Sequence, residues 1–390
     1  MSRTNQRIPL YTQIRKYITD QIDQKRWLAG DRLPSENEFA SQFNVSRITV
    51  KNALSELIEE GIIFRVQGKG SFVSHDASGE PKIYESKQRA VSDHNLVAFL
   101  MPRLANSFNA KLMDGIESEL AQNGYRVIFC KTHDSQELEK QTLREMVQLG
   151  VKGIIIFPVE GESYSEEILR LTLDDFPFVV VDRYFRGIDT NSVCIDNFEG
   201  ARMLTNMLIS LGHSRIGFIS NRFAGTTSIE DRLAGYERAL ADNNIAIDHR
   251  LRSVEFGVEE VNRVLDDGIP DEQAVLDIQA FIRQNPDMTA IFTINPAFGL
   301  TAMKAATTLG LRIPDDLSVV FFDNYEMSAS SAIPPTCVSQ DEREVGREAA
   351  KLLVSVMKDP TQDSRKILLP PKLIVRNSSG PCRQHNIAAL

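Results

Sequence analysis

The sequence predicts a multidomain chain: an α+β winged helix-turn-helix at the N-terminus, then a two-lobed α/β body built on parallel sheets. Three observations lead there. A helix–turn–helix pattern and a glycine-rich hairpin fill residues 1–75, while from Leu96 onward apolar strand-like runs alternate with amphipathic helices. The charge divides in the same place, with a net of +3 over residues 1–75 and −12 over the rest. An acidic body is repelled by DNA, so phosphate contacts fall to the N-terminal module.

Residues 9–28 read as an amphipathic helix, with Tyr11, Ile14, Ile18 and Ile22 at helical spacing and a break at Ala29–Asp31. Leu33–Lys51 then reads as two short helices. Phe39, Ala40 and Phe43 share one face, Asn44 makes the turn, and Ser46 caps the second helix, whose buried side continues through Val50, Ala53 and Leu54. Arg47, Thr49, Lys51 and Asn52 are left outward at its start. In a major groove Arg pairs with guanine and Asn with adenine, and Thr and Lys serve phosphates or bases. Gly61 stops the last helix, and Ile62–Val66, a turn at Gln67–Gly70 and Ser71–Ser74 form a hairpin. Its tip, Gln67, Gly68 and Lys69, is small enough to approach a sugar-phosphate backbone and carries one cation. Residues 76–95 are polar, contain Gly79 and Pro81, and read as a linker.

The body extends over residues 96–376, with 377–390 as a tail. Strands are expected at Leu96–Met101, Tyr125–Cys130, Gly153–Phe157, Phe178–Asp182, Arg215–Ser220, Ala290–Thr293 and Leu317–Phe322. Helical patterns lie between them, and the last runs from Glu342 to Met357. Some 280 residues of this alternation exceed one sheet of usual size, hence two lobes. Ligands of open α/β sheets bind beyond the carboxyl ends of strands. Those ends carry Glu160, then Asp182-Arg183-Tyr184-Phe185, Asn295 and Asp323-Asn324-Tyr325. Acids, amides and aromatic rings placed together suit a polyol, whose hydroxyl pairs bond the former while a ring covers its C–H face.

Composition excludes several classes. The apolar runs are strand-length, too short for a bilayer, and MSRTNQRIPLY lacks a signal-peptide core. Cys130, Cys194, Cys337 and Cys382 are scattered without a CxxC, which fits a reducing cytoplasm and no metal site. The GKGSF run at 68–72 sits in a hairpin and precedes no helix, so it is neither a P-loop nor a dinucleotide fingerprint. The histidines show no metal spacing, and His213, at a helix–strand junction, reads as a cap. No enzymatic constellation and no cofactor is expected.

Pro9-Leu10-Tyr11-x-Gln13-Ile14, Gly30-Asp31-Arg32-Leu33-Pro34-Ser35-Glu36, Val45-Ser46-Arg47-x-Thr49-Val50, Glu60-Gly61 and Gly68-x-Gly70-x-Phe72-Val73 resemble the GntR family of bacterial regulators. That resemblance implies DNA reading from Asn37, where some relatives have Arg, and from Arg47, Lys51, Gln67 and Gly68. The body resembles the LacI/GalR regulator core, itself similar to periplasmic sugar-binding proteins. The resemblance is carried by Gly115-Ile116-Glu117, Val179-Val180-Val181-Asp182-Arg183, Leu211-Gly212-His213-x-Arg215-Ile216-Gly217, Arg232-Leu233-Ala234-Gly235-Tyr236, Ile313-Pro314-Asp315-Asp316-Leu317 and Phe322-Asp323. It implies ligand contacts at Glu160, Arg232, Asn295, Asp323 and Gln340, with Phe108 and Arg183 near the cleft. Asn295-Pro296 departs from the family's usual acidic pair, and Glu255–Asp271 is an unusual segment.

A GntR-type head on a LacI-type body is similar in arrangement to the Bacillus-type arabinose repressors. The implied function is a sugar-responsive regulator bound to operator DNA as a homodimer. L-arabinose or a related pentose is the leading effector and repression the leading sign. The alternative is a transcriptional activator or a corepressor-dependent regulator that responds to another small molecule such as a sugar phosphate or nucleoside.

Overall fold

Ile14, Ile18 and Ile22 recur every fourth residue and bury one face of the first helix, α1 (Leu10–Asp23). The computed structural model describes residues 9–66, 70–74, 95–104, 107–159, 166–221, 225–256, 270–325 and 332–383. The chain divides into two units, Met1–Arg89 and Ala90–Leu390.

In the first unit α1 is followed by α2 (Glu36–Phe43), α3 (Arg47–Glu59) and an antiparallel hairpin of β1 (Ile63–Val66) and β2 (Gly70–Val73), paired Ile63 to Val73 and Val66 to Gly70. A capping box starts α2: Ser35 Oγ accepts from the Glu38 N–H at 3.3 Å, and the Ser35 N–H donates to the Glu38 carboxylate at 2.6 Å. Asn44 turns the corner in a left-handed conformation (φ 49°) that an amide side chain tolerates. Ile14, Ile18, Phe39, Val50, Leu54, Leu57, Ile63 and Val73 form the shared core. The helix expected over 9–28 ends at Asp23. Lys25 takes φ 55°, and the chain doubles back so that the Trp27 ring meets Tyr17 and Phe39 edge-on, centroids 6.1 and 6.3 Å apart. Burying an indole outweighs another turn of exposed helix.

The second unit holds two lobes with one strand order. The first-lobe sheet runs β13-β7-β6-β5-β3-β4 and is parallel throughout. Its strands are β3 (Leu96–Met101), β4 (Arg126–Lys131), β5 (Gly153–Ile156), β6 (Phe178–Val181), β7 (Ser192–Ile195) and β13 (Lys366–Leu369). The second-lobe sheet runs β14-β12-β11-β10-β8-β9: β8 (Ile216–Asn221), β9 (Arg252–Phe256), β10 (Ala290–Thr293), β11 (Ser318–Phe322), β12 (Thr336–Ser339) and β14 (Lys372–Ile374). Only β14 runs antiparallel.

Helices cover both faces. In the first lobe α4 (Ser107–Gln122) and α11 (Glu342–Lys358) seal one face over Val97, Phe99 and Ile155, and α5 (Gln136–Leu149) and α6 (Glu166–Leu173) the other over Ala98, Leu100 and Ile154. In the second lobe α7 (Asn197–Ser210), α8 (Thr227–Asp242), α9 (Glu272–Gln284) and α10 (Pro296–Thr308) enclose a single core around Phe218, Phe292 and Val319. Helices α4 and α11 touch backbone to backbone, since a Cβ on Gly115 would lie 2.1 Å from the Arg343 carbonyl oxygen. Neither lobe is continuous in sequence. The chain crosses between them after β7, after β12 at Gln340-Asp341, and between β13 and β14 at Pro370-Pro371.

The seven strands expected in the body are present within two residues of their bounds. Strands β7, β9, β12, β13 and β14 were not anticipated, because short runs such as TCVS and KLI are stabilised by ladders to distant partners and carry little signal of their own. No helix among the described residues is long and apolar enough to cross a membrane.

Candidate functional site

Two places gather the chemistry singled out in the sequence. In the first unit, Ser46 caps α3 by accepting from the Thr49 N–H at 3.2 Å, and the two hydroxyls share a hydrogen bond of 2.9 Å. Both side chains therefore serve the start of the helix. Asn37, Arg47, Lys51 and Asn52 are exposed, and Thr49 is half-buried. The Glu36 carboxylate gathers two cations: Arg65 of β1 at 2.8 Å and Arg47 of α3 at 3.7 Å. Arg65 is a cation beside this face that the sequence does not mark, since strand alternation puts it on the side of the buried Ile63, yet it is exposed. Gln67, Gly68 and Lys69 lie outside the described residues, as does Glu160 of the body.

The second place is a cavity of about 380 Å³ between the lobes, at the carboxyl ends of their strands. Phe108, Arg183, Arg232, Asn295 and Asp323 line it together, joined by Arg103, Asp134 and Asp182. Gln340 stands behind this wall, and its Nε2 donates to Asp323 Oδ1 at 2.7 Å. The centre of the arrangement is Arg232 of α8, which is buried. Its Nη1 lies 3.4 Å from Asp323 Oδ2, its Nε donates to Asn197 Oδ1 at 2.8 Å, and its Nη1 also donates to the Ile294 carbonyl. The guanidinium lies 3.8 Å from the centre of the Phe322 ring. Four partners hold one cation in place.

The wall on the first-lobe side is more local. Arg183 lies over the Phe157 ring at 5.3 Å and 3.7 Å from Asp182, and Phe108 meets Phe157 edge-on at 6.2 Å. Arg103 pairs with Asp134, and Asn109, which is buried, donates to the Arg103 carbonyl at 2.8 Å. Asn295 caps α10 through Oδ1, which accepts from the Phe298 N–H at 3.0 Å. Glu139 is buried behind this wall and accepts the Val159 N–H at 2.8 Å; burial pushes its carboxyl above the usual range, partly offset by that bond and by Arg183.

Beside the cavity Tyr184 ties the lobes together. Its N–H donates to Thr227 Oγ1 at 3.2 Å, Thr227 Oγ1 donates to its carbonyl at 2.9 Å, and its hydroxyl donates to Asp231 at 3.0 Å. Burial and the neighbouring Asp231 push its phenol up to about 12. His213 is no helix cap: its imidazole is buried and bridges Thr289 Oγ1 at 2.9 Å and the Gly380 carbonyl at 3.0 Å. Burial holds its pKa below the ordinary value.

Arg103, Asp134 and Asn197 escaped the sequence reading. The first two follow β3 and β4, so applying the strand-end rule to those strands as well would have found them. Asn197 follows a crossover that nothing in the local sequence marks.

Residues 10–73 match the gntR family of bacterial regulatory proteins, and residues 205–379 match a periplasmic binding protein-like domain. The chain is a transcriptional regulator with a gntR-type head and a periplasmic-binding-protein-like body. Across 378 residues this regulator is 28% identical to the arabinose metabolism transcriptional repressor of Geobacillus stearothermophilus, covering 95% of its own length and 98% of that protein. It is also 28% identical over 282 residues to the HTH-type transcriptional repressor PurR of Vibrio campbellii, covering 72% of this chain and 80% of that one. Among solved structures, transcription regulator GntR from Chromobacterium violaceum matches with a TM-score of 0.62 at 25% identity, over 73% of this chain and 99% of that one.

Proposed function

We propose that this regulator is a repressor that binds operator DNA as a homodimer and releases it when a neutral sugar, L-arabinose or a related pentose, enters the cleft. The charge balance of the cavity carries the sugar assignment. Three arginines line it, and each has an aspartate beside it on the same wall: Arg103 with Asp134, Arg183 with Asp182, and Arg232 with Asp323. Among the described lining residues the formal charge is zero. A phosphate ester would bring about −1.5 to −2 charges and find every guanidinium already shared. A neutral polyol meets alternating donors and acceptors, with Phe108 offering a ring to its C–H face.

In this reading Arg232, Asp323 and Asn295 hold the sugar from the second lobe, with Gln340 positioning Asp323 from behind, and Arg183 and Phe108 hold it from the first. Asn37, Arg47, Lys51 and Asn52 read DNA. The sugar favours one lobe arrangement, and in a dimer that arrangement changes how two heads match two half-sites. The crossover at Gln340 links the two events, because it bonds the cavity aspartate and joins the lobes. The three arginines favour a second reading, a sugar phosphate or nucleoside effector. The pairing of each arginine with an aspartate weighs against it.

Fluorescence anisotropy tests the proposal, using the full chain and a duplex enriched by it from a randomised pool. The proposal expects a neutral pentose to raise the dissociation constant for that duplex at least tenfold. Tighter binding in the presence of the sugar would make it a corepressor and overturn the release mechanism.

A further inference from the structure

Successive residues of α3 step about 100° around its axis. Val50, Ala53, Leu54 and Leu57 are buried and define the inward direction. The residue pointing most nearly opposite, at the centre of the outward face, is Ile48. It is 72% exposed, more than Leu10 at 54% or Leu28 at 58%, which makes it the most exposed large apolar side chain among the described residues of the head. Every other outward residue of the first two turns is polar: Arg47 and Lys51 on one flank, Asn52 one turn further along. Neither packing nor helix propensity favours isoleucine here, since it lies outside the head's core and a β-branched residue is a weaker helix former than Ala, Glu or Lys. Single exposed apolar residues are common on protein surfaces. This one occupies the middle of the face that the reading above places against DNA, between a guanidinium and an amide.

The major groove offers one apolar feature, the 5-methyl group of thymine. We propose that Ile48 is a specificity-determining residue that packs on a thymine methyl in each operator half-site, with Asn52 one turn away on the same face available to an adenine. The inference rests on the DNA-binding reading and adds which base chemistry the helix selects. It predicts half-sites in which a T·A pair lies beside the pair read by Arg47.

Deoxyuridine tests this cleanly, because it keeps every hydrogen-bonding group of thymidine and lacks only the methyl. The full chain first enriches duplexes from a randomised pool, and the consensus duplex is then remade with each thymine replaced in turn by deoxyuridine. At one position per half-site the replacement weakens binding of the unaltered protein by about fourfold, the value of one buried methyl-sized group. Ile48→Ala binds the thymine and deoxyuridine duplexes equally, with an unchanged melting temperature because the side chain supports no core. If no replacement weakens binding, or if Ile48→Ala keeps the preference for thymine, the inference is wrong. If the pool yields no enriched sequence, the DNA-binding reading falls and this inference with it.

Discussion

In both lobes the strand third from the outer edge of the sheet, β6 in one and β11 in the other, ends on an aspartate with a left-handed backbone: Asp182 and Asp323, each at φ 68°. A non-glycine residue there is strained by on the order of 1 kcal/mol, and such strain tends to collect at binding sites. The surroundings of the two then diverge. Asp323 is held by Arg232 and Gln340, and Arg232 by Asn197, so residues at two crossovers meet around one carboxylate. Asp182 has Arg183, its neighbour in sequence, and the second pair of that wall, Arg103 with Asp134, is partly open to solvent. The second lobe thus presents a half of the cleft tied to two of the crossovers. The first presents a half whose named pairs, Arg183 with Asp182 and Arg103 with Asp134, stay within that lobe.

The sharpest way to break this contrast is to remove one arginine from each side. Arg232→Ala leaves Asp323 and Asn197 without their cation, and is expected to cost about 3 kcal/mol in equilibrium unfolding. Arg103→Ala, in a half-exposed pair, is expected to cost less than about 1 kcal/mol. Equal losses would erase the distinction. Where the lobes are built alike they should respond alike. A Cβ on Gly115 in α4 would lie 2.1 Å from a carbonyl oxygen, and one on Gly235 in α8 2.2 Å from another. Gly115→Ala and Gly235→Ala are each expected to destabilise by about 2 kcal/mol, measured the same way, as the helix pairs are forced apart.

Tyr184→Phe tests the tie between the lobes. It removes the hydroxyl that donates to Asp231 and is expected to cost about 1.5 kcal/mol in thermal unfolding. The smallest effect concerns pH, and its sign differs between the lobes. Burial lowers the pKa of His213, so its contribution is present above the ordinary histidine value of about 6.5 and is lost as pH falls through the folded value. Burial raises that of Glu139, beside Lys140 and Arg183, so its contribution is present below about 4.3 and is lost as pH rises through the folded value. Between pH 7 and 5 the melting temperature should therefore fall less in His213→Gln than in the unaltered chain, and more in Glu139→Gln.

How much of this the sequence disclosed depends on where each residue's partners lie. Runs such as GIII and SVVFF are apolar on both faces and announce buried parallel strands unaided. Strand β7, only SVCI, and β13 and β14, on either side of a Pro-Pro pair, become strands because a neighbouring ladder accepts them. The end of α1 was misplaced because Trp27 packs on Tyr17 and Phe39, a contact invisible to helical spacing. In the cleft, Arg183, Asn295 and Asp323 were legible because each follows an apolar strand. Arg232 and Gln340 came from family resemblance alone, and Asn197 from neither, since its role depends on a crossover that only the folded chain creates.

The central claim is that the cleft takes a neutral sugar, and calorimetric titration of the full chain with free pentoses and the 5-phosphate esters of the same pentoses tests it directly. The account predicts that one neutral pentose binds, that its ester binds about a hundredfold more weakly for want of an unshared cation, and that Asp323→Ala abolishes the sugar's heat. An ester that binds more tightly than its parent sugar would contradict it and make the three arginines an anion clamp.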